Sequence, residues 1–284
     1  MCARGPANRP HGETIGHRGP SVPVPNCFSE RSVRLSCNAC NAELSWLLHE
    51  YKQDLIAIRI MERRSILIAA PPASAFDLSC WKAFLHSSCG GSWRPDEILR
   101  IEDGNRQNIL AAVNSSKGVD YCFVVAIGRG ETAKRDRPWR ETHLIVGNNS
   151  QITERELNNG SPRCFLLFDC CVAKTPPDRV PAEPPEIGQD SRASRKAYDD
   201  ALMAAEGGLT KLIATNPATN AQSGPVSRHL IREAIDWTSD RGGTLFLPEA
   251  VKRTVEMTED LGAPWKIEYL PGRRLRHFPF AVSP

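Results

Sequence analysis

Two short polar segments follow two strongly apolar stretches of the sequence, and their side chains suit one another chemically. Gly128-Arg129-Gly130-Glu131 follows the apolar stretch Asp120–Ile127, and Asp169-Cys170-Cys171 follows the apolar stretch Arg163–Phe168. Neighbouring parallel strands end at the same edge of a sheet, so we expect these two segments to lie within side-chain reach. A cysteine thiolate is a nucleophile, and a nearby guanidinium favours the thiolate over the thiol. The two segments together indicate a candidate thiol-containing site.

The elements that must position these segments are strands and helices that alternate along the chain. Ser65–Ala70 is a continuous apolar run, as expected for a parallel strand that is buried on both faces. The predicted strands are Ser65–Ala70, Ile98–Ile101, Asp120–Ile127, the short edge strand Thr142–Val146, Arg163–Phe168 and Thr210–Thr215. The predicted helices are Asp77–Leu85, Asn105–Val113, Thr153–Leu157, Ala197–Glu206 and Val226–Trp237. This alternation favours a mostly parallel sheet with helices on both faces.

The order of these segments resembles the caspase/metacaspase family of cysteine proteases over almost all of residues 61–284. In that family one strand ends in a Ser-Gly-His-Gly turn with the catalytic histidine, and a later strand ends in Asp-x-Cys with the nucleophile. Residues 120–130 resemble the first motif, and residues 163–171 resemble the second. Further similarity lies in residues 102–109, 214–227 and 278–282. The resemblance implies a caspase-like three-layer α/β sandwich, with a mostly parallel central sheet flanked by helices.

The resemblance also implies roles for individual residues. Cys171 matches the nucleophile of the family, and Asp169 matches an acidic residue that in metacaspases helps to line a pocket for basic side chains. Arg129 stands where the family has its histidine. The family's imidazole manages the protons of the reaction and donates one to the leaving amine. A guanidinium stays protonated and cannot act as a general base, so the resemblance implies an inactivated protease site.

Few other residues are candidates for the missing proton transfer. His143, in the predicted strand Thr142–Val146, is a weak substitute for the histidine of the family. The remaining candidates, His86, His229 and His277, match no catalytic motif of the family. Cys170 should point to the opposite side of its strand from Cys171 and pack in the core. Val172-Ala173-Lys174 replaces the family's usual His-Ser-Gly, which affects the side of the site where backbone N–H groups would stabilise an oxyanion.

No metal or cofactor site is predicted. Cys37-Asn38-Ala39-Cys40 has the spacing of a zinc knuckle, but the sequence around it offers no clear set of four ligands. Gly128-Arg129-Gly130 lacks the third glycine of a dinucleotide-binding turn. Lys134–Arg140 holds four basic residues with Trp139, a composition typical of a charged surface loop.

Composition excludes several classes of protein. The 284 residues are 40% hydrophobic and 24% charged, with a formal net charge of +3, which does not favour a nucleic-acid partner. The apolar runs are far shorter than the roughly 18 residues of a membrane helix, so no membrane partner is expected. Ten cysteines are scattered without a regular framework, and two of them are adjacent. This distribution predicts a reducing, cytoplasmic location.

The chain is expected to divide into a leader and one folded domain. Residues 1–60 read as a disordered or weakly structured leader with a possible short helix over Glu43–Ile60. Residues 61–284 form the caspase-like domain, which contains a Pro-rich loop over residues 175–194. In caspase-like proteins activating cleavage often falls after the nucleophile. The basic candidate cleavage points here are Arg179, Arg192 and Arg195.

Three functions remain open at this point. The leading hypothesis is a degenerate caspase-like protein that binds a protein or peptide, such as an active protease or a signalling protein, in a cell-death or defence-type pathway. The second is an active cysteine endopeptidase that prefers basic residues, with Cys171 as nucleophile, Asp169 in the specificity pocket and His143 or water moving the protons. The third is a sensor that uses the vacated cleft and the Arg129 cation to hold an anionic ligand.

Overall fold

The described part of the protein contains a six-stranded sheet between two layers of helices. The computed structural model describes residues 61–133 except 72 and 74, and residues 141–170, 192–215, 226–260 and 265–283. Its strands are β1 (Arg63–Ala69), β2 (Ile98–Ile101), β3 (Tyr121–Ile127), β4 (Gly130–Ala133), β5 (Glu141–Val146), β6 (Ser150–Thr153), β7 (Arg163–Cys170), β8 (Gly208–Thr215), β9 (Gly243–Phe246), β10 (Lys266–Leu270) and β11 (Pro279–Ser283). Its α-helices are α1 (Ala75–His86), α2 (Arg106–Ser115), α3 (Glu154–Leu157), α4 (Arg192–Ala204), α5 (Val226–Asp240) and α6 (Leu247–Asp260).

The central sheet is mostly parallel, as the alternation of strands and helices predicts. Its strand order is β10-β8-β7-β3-β1-β2, and only β10 runs antiparallel to its neighbour. Two smaller antiparallel sheets, β4-β5-β6 and β11-β9, complete the described strands. The predicted fold class, a mostly parallel α/β sandwich of three layers, is therefore confirmed.

Each face of the central sheet carries its own hydrophobic core. One core joins alternate residues of the strands, such as Phe123 and Phe165, to α1, α4, α5, α6 and β11. The other joins the remaining alternate residues, such as Val124 and Leu166, to α2, α3 and the small sheet β4-β5-β6. Because successive side chains of a strand point to opposite faces, the apolar runs of β1, β3 and β7 fill both cores at once.

Polar residues fix the starts of two helices close to where the sequence predicts them. Asn105 caps α2, since its Oδ1 accepts hydrogen bonds from the backbone N–H groups of Gln107 at 2.8 Å and Asn108 at 3.3 Å. Thr153 and Glu156 form a reciprocal capping box at the start of α3. Caps of this kind are local in sequence, so the spacing of the residues is enough to predict them.

Helix α4 is attached to the start of β1 by a buried ionic network. The Arg63 guanidinium, with a fully buried side chain, lies 3.2 Å from Asp199 Oδ1 and 3.5 Å from Glu97 Oε2. Arg195 donates from Nη1 to Glu97 Oε2 at 2.9 Å and from Nη2 to Glu97 Oε1 at 2.5 Å. Arg195 is therefore unsuited as a cleavage point, which corrects the sequence prediction: its peptide bonds are helical and its side chain is engaged, whereas proteolysis favours exposed loop tips.

The structure differs from the prediction at several further elements. Thr142–Val146 is not an edge strand, because β5 pairs with β4 on one side and β6 on the other. Strand β7 does not stop at Phe168 but continues through Asp169 and Cys170. Strands β4, β6, β9, β10 and β11 and helix α6 are not predicted from the sequence at all. The predicted helix over Glu43–Ile60 and the Pro-rich segment 175–194 fall on residues that lie mostly or wholly outside the described ones.

Candidate functional site

The ends of β3 and β7 meet at one edge of the sheet, as the sequence predicts. The two strands are parallel neighbours in which Ile127 pairs with Asp169. Immediately beyond this pair, the Gly128 N–H donates a hydrogen bond to the Asp169 carbonyl oxygen at 3.1 Å. The turn that carries Arg129 is therefore bound directly to the strand end that carries Asp169 and Cys170.

Two glycines make this close approach possible. A Cβ atom at Gly128 would lie 2.7 Å from the Ala70 carbonyl oxygen, where β1 ends. A Cβ atom at Gly130 would lie 2.0 Å from Cys170 Sγ and 3.2 Å from the His143 carbonyl oxygen. Ordinary side chains do not fit at either position, because both distances to the nearest atom fall well inside van der Waals contact. The glycines on either side of Arg129 thus serve the packing of β3 and β4 against their neighbours.

Arg129 is exposed at the tip of this turn. Its carbonyl oxygen accepts a hydrogen bond from the Ile145 N–H at 2.8 Å, which ties the turn to β5. An exposed guanidinium presents several N–H donors and a positive charge but takes no proton from a substrate. At this place in the fold, Arg129 can attract and orient an anionic group, and it cannot supply general acid–base catalysis.

Asp169 is buried, with 0% of its surface exposed. Its Oδ2 accepts a hydrogen bond from the Ser227 N–H, in the first turn of α5, at 2.7 Å. A carboxylate at a helix N-terminus satisfies an otherwise unpaired N–H group and interacts favourably with the helix dipole. A basic substrate side chain that reached Asp169 would therefore share the carboxylate with α5. The role of Asp169 in substrate binding stays a prediction.

Cys170 is half-buried and packs against the core, as the sequence predicts. Its side chain packs on the same core as β4-β5-β6. Burial, reinforced by the Asp169 charge, raises the pKa of the Cys170 thiol to about 12. A thiol with such a pKa is protonated at physiological pH and is a poor nucleophile. The predicted nucleophile Cys171, together with Val172-Ala173-Lys174, lies outside the described residues.

His143 lies in the middle strand of the small sheet, where it pairs with Glu131 on β4 and Thr153 on β6. Its Nδ1 is 2.9 Å from Gln151 Oε1. Nε2 is buried. The predicted substitute therefore has Nδ1 beside Gln151 and Nε2 shielded from solvent.

An ion pair at the same edge is not predicted from the sequence. Arg228, in the first turn of α5, donates from Nε to Asp77 Oδ1 at 2.7 Å, and its Nη2 lies 2.6 Å from the same oxygen. Asp77 lies in the first turn of α1, and the Arg228 guanidinium lies 5.2 Å from the centre of the Phe76 ring. The sequence could have indicated this pair only through the position of its residues. Both lie in the first turn of a helix that follows a parallel strand, which is where such sheets bind ligands.

His229 is a further residue of α5 near this edge. Its ring centre lies 4.9 Å from that of Trp265. Burial, with additional repulsion from Arg232 and Arg228, lowers the pKa of His229 below its ordinary value of 6.5. The ring is therefore neutral at pH 7. The other two histidines of the described residues lie apart from this edge: His86 Nδ1 is 2.8 Å from the Trp93 carbonyl oxygen at the end of α1, and His277 lies before β11.

Neither a metal centre nor a spanning helix is found in the described residues. No group of three or more His, Cys, Asp or Glu side chains there is arranged to hold a metal ion. None of the helices within those ranges is both long and apolar enough to cross a membrane. The segments Cys37–Cys40 and Lys134–Arg140, which the sequence singles out as weak ligand candidates, lie outside the described residues.

Comparisons with known proteins assign this chain to no family. No family model matches the sequence, and no curated protein matches it. Among solved structures, the chain is similar to the crystal structure of protein GSU0716 from Geobacter sulfurreducens. That likeness has a TM-score of 0.42 and 12% sequence identity, and it covers 73% of this chain and 92% of that chain. At this level the likeness carries no argument about function.

Proposed function

We propose that this protein is a degenerate member of the caspase-like proteins, which has lost peptidase activity and acts by binding a protein or peptide. The observation that carries the proposal is the pairing of Ile127 with Asp169, which joins the two segments that resemble the catalytic motifs. Where the family has its histidine, this junction presents the exposed side chain of Arg129. A fold that keeps the strand ends but lacks the proton-transferring group favours binding over catalysis.

The surroundings of the junction support loss of catalysis. The described thiol at the junction, Cys170, has a pKa raised by burial to about 12. The described imidazoles near this edge are also unsuited to the reaction. The Nε2 atom of His143 is buried, and the His229 ring packs against Trp265. Neither ring therefore supplies an exposed base beside the Arg129 turn.

Location and pathway are part of the proposal. The five described cysteines, Cys80, Cys89, Cys122, Cys164 and Cys170, are free thiols, which supports a reducing, cytoplasmic location. The partner would be an active protease or a signalling protein in a cell-death or defence-type pathway. The pathway rests on the family resemblance alone.

The test compares the wild-type protein with a Cys171→Ala variant. Both are treated with an irreversible electrophile that carries a basic residue at the position before its reactive group. We expect no labelling above the Cys171→Ala background and no hydrolysis of fluorogenic peptides that end in Arg or Lys. Labelling that disappears in Cys171→Ala, together with turnover, would instead establish the active endopeptidase.

A further inference from the structure

The opposite edge of the sheet carries an exposed apolar surface that no part of the candidate site uses. Here the last turn of α4, the end of β10 and the loop 271–277 come together. Met203 is 48% exposed, Leu270 is 39% exposed and Leu275 is 91% exposed. These are three of the four large apolar side chains that are exposed within the described residues, the fourth being Phe246. Apolar side chains gathered in one place on a surface are typical of an interaction site.

The same corner is strongly basic. It holds four arginines, namely Arg163, Arg273, Arg274 and Arg276. Arg273 and Arg276 are exposed, and neither forms an ion pair with a carboxylate of the described residues. The nearby acid is Glu206, whose Oε2 accepts a hydrogen bond from the Leu275 N–H at 3.0 Å. The loop 271–277 itself carries three arginines and no acidic residue, which gives an excess of positive charge around Leu275.

Two of the arginines are held in fixed orientations by the carboxyl end of α4. Arg163 donates from Nε to the Ala205 carbonyl oxygen at 3.2 Å and from Nη2 to the Met203 carbonyl oxygen at 3.5 Å. Arg274 donates from Nη1 to the Glu206 carbonyl oxygen at 3.3 Å, and its guanidinium lies 4.2 Å from the centre of the Phe278 ring. Each guanidinium has five N–H donors, so both retain donors beyond these bonds.

We propose that this basic corner, formed by Arg163, Met203, Leu270 and the loop 271–277, binds an acidic protein segment that carries a large apolar side chain. Carboxylates of the segment pair with the arginines, which bind carboxylates in a planar, two-point geometry. The apolar side chain of the segment covers Leu275 and its apolar neighbours. The inference rests on the proposed function, because it assigns the surface by which a binding protein would hold its partner.

A protein segment fits this corner better than a lipid or nucleic-acid surface does. The guanidinium groups of Arg163 and Arg274 are oriented by backbone carbonyls and by a ring, and fixed donors favour ligands of defined shape. The apolar side chains come from three separate elements and do not form one continuous stripe that enters a bilayer. Of the rings at and beside the corner, Phe278 is buried and Tyr269 and His277 are half-buried, so no fully exposed aromatic ring is offered for stacking on bases.

The experiment selects peptides on the full-length protein. A phage library of random 12-residue peptides is panned on the wild type and, in parallel, on the triple variant Arg273→Glu, Leu275→Ser, Arg276→Glu. We expect the peptides that are selected on the wild type but not on the triple variant to be acidic and to contain a large apolar residue. A synthetic copy of the best peptide should bind the triple variant at least about tenfold more weakly in titration calorimetry. Thermal unfolding verifies that the exposed substitutions leave the fold intact.

A matched control carries the same charge change elsewhere. Lys117 and Arg241 are exposed and lie outside the corner, so Lys117→Glu with Arg241→Glu should bind the peptide as the wild type does. Equal loss in the control, or selected peptides that are neutral or basic, would overturn the proposal. So would corner-dependent binding to phosphatidylserine vesicles or to single-stranded DNA that exceeds binding to the peptide. None of these outcomes depends on Cys171, so a failure here is distinct from a failure of the peptidase test.

Discussion

Substitution of Gly130 by alanine tests the contact that joins the Arg129 turn to the end of β7. The new Cβ would lie 2.0 Å from Cys170 Sγ, whereas ordinary contact begins at 3.4 Å, so atoms must separate by 1.4 Å (3.4 − 2.0). Rotation of the Cys170 side chain moves Sγ but leaves Cys170 Cβ 2.9 Å from the new atom. The backbones on both sides are held, because β4 pairs with β5 and the Gly128 N–H is bonded to the Asp169 carbonyl oxygen. Overpacking of this kind costs about 1–3 kcal/mol, and we expect the upper part of that range in the free energy of unfolding.

A double-mutant cycle with Cys170→Ala isolates the contact. Cys170→Ala alone removes a half-buried sulfur and costs about 1 kcal/mol. In the double variant the nearest remaining contact is 2.9 Å from the new Cβ to Cys170 Cβ, a shortfall of 0.5 Å (3.4 − 2.9). Most of the clash is then relieved, so the two costs should not add, and the coupling should be about 1–2 kcal/mol.

Urea denaturation of the four proteins measures these free energies. Gly147→Ala is the matched control, since its Cβ would meet its nearest atom at 3.4 Å and should change stability little. Strictly additive costs for Gly130→Ala and Cys170→Ala, or an equal loss in Gly147→Ala, would refute the placement of β4 on the end of β7.

Three further predictions concern the edge and the core. Asp169→Ala removes the acceptor of the Ser227 N–H and should lower the free energy of unfolding by about 1–3 kcal/mol in urea denaturation, while Asp169→Asn, which keeps an acceptor oxygen, should lose less. By NMR titration, His229 should have a pKa below 6.5, and Trp265→Ala should move it back towards that value. In the unfolded chain His229 binds its proton near pH 6.5, whereas in the folded protein it does so only at lower pH. The free energy of unfolding should therefore decrease as pH falls below about 6.5. A measured pKa of 6.5 or more would contradict the burial of His229. Phe280→Ala should cost about 3–5 kcal/mol, since the ring is 1% exposed and packs 5.3 Å from Phe84, whereas Phe246→Ala should cost under about 1 kcal/mol.

Sequence patterns predict the parts of this fold that depend on local order. The apolar runs of β1, β3 and β7 mark buried parallel strands, and their order correctly brings the Arg129 turn beside Asp169. The caps Asn105 and Thr153 are likewise local. These features need no knowledge of distant contacts.

The features that the sequence does not predict depend on partners far along the chain. Arg63 is the first residue of β1, and an arginine at such a position is expected at the surface. It is buried because Glu97 and Asp199 pair with its guanidinium. Asp169 meets Ser227 across 58 positions, and Arg228 meets Asp77 across 151. Strand β4 has four residues and no apolar run, and β10 has five residues in which Lys266 and Glu268 alternate with apolar ones. Strands this short are defined by pairing with a neighbour more than by their hydrophobic pattern.

Substitution of Arg129 by histidine tests the central claim most directly. If Arg129 occupies the position of the family's catalytic histidine, Arg129→His should create measurable hydrolysis of fluorogenic peptides that end in Arg or Lys. That activity should vanish when Cys171→Ala is added. A properly folded Arg129→His protein with no hydrolysis above the Cys171→Ala background would contradict the placement of Arg129 and Cys171 in one inherited site.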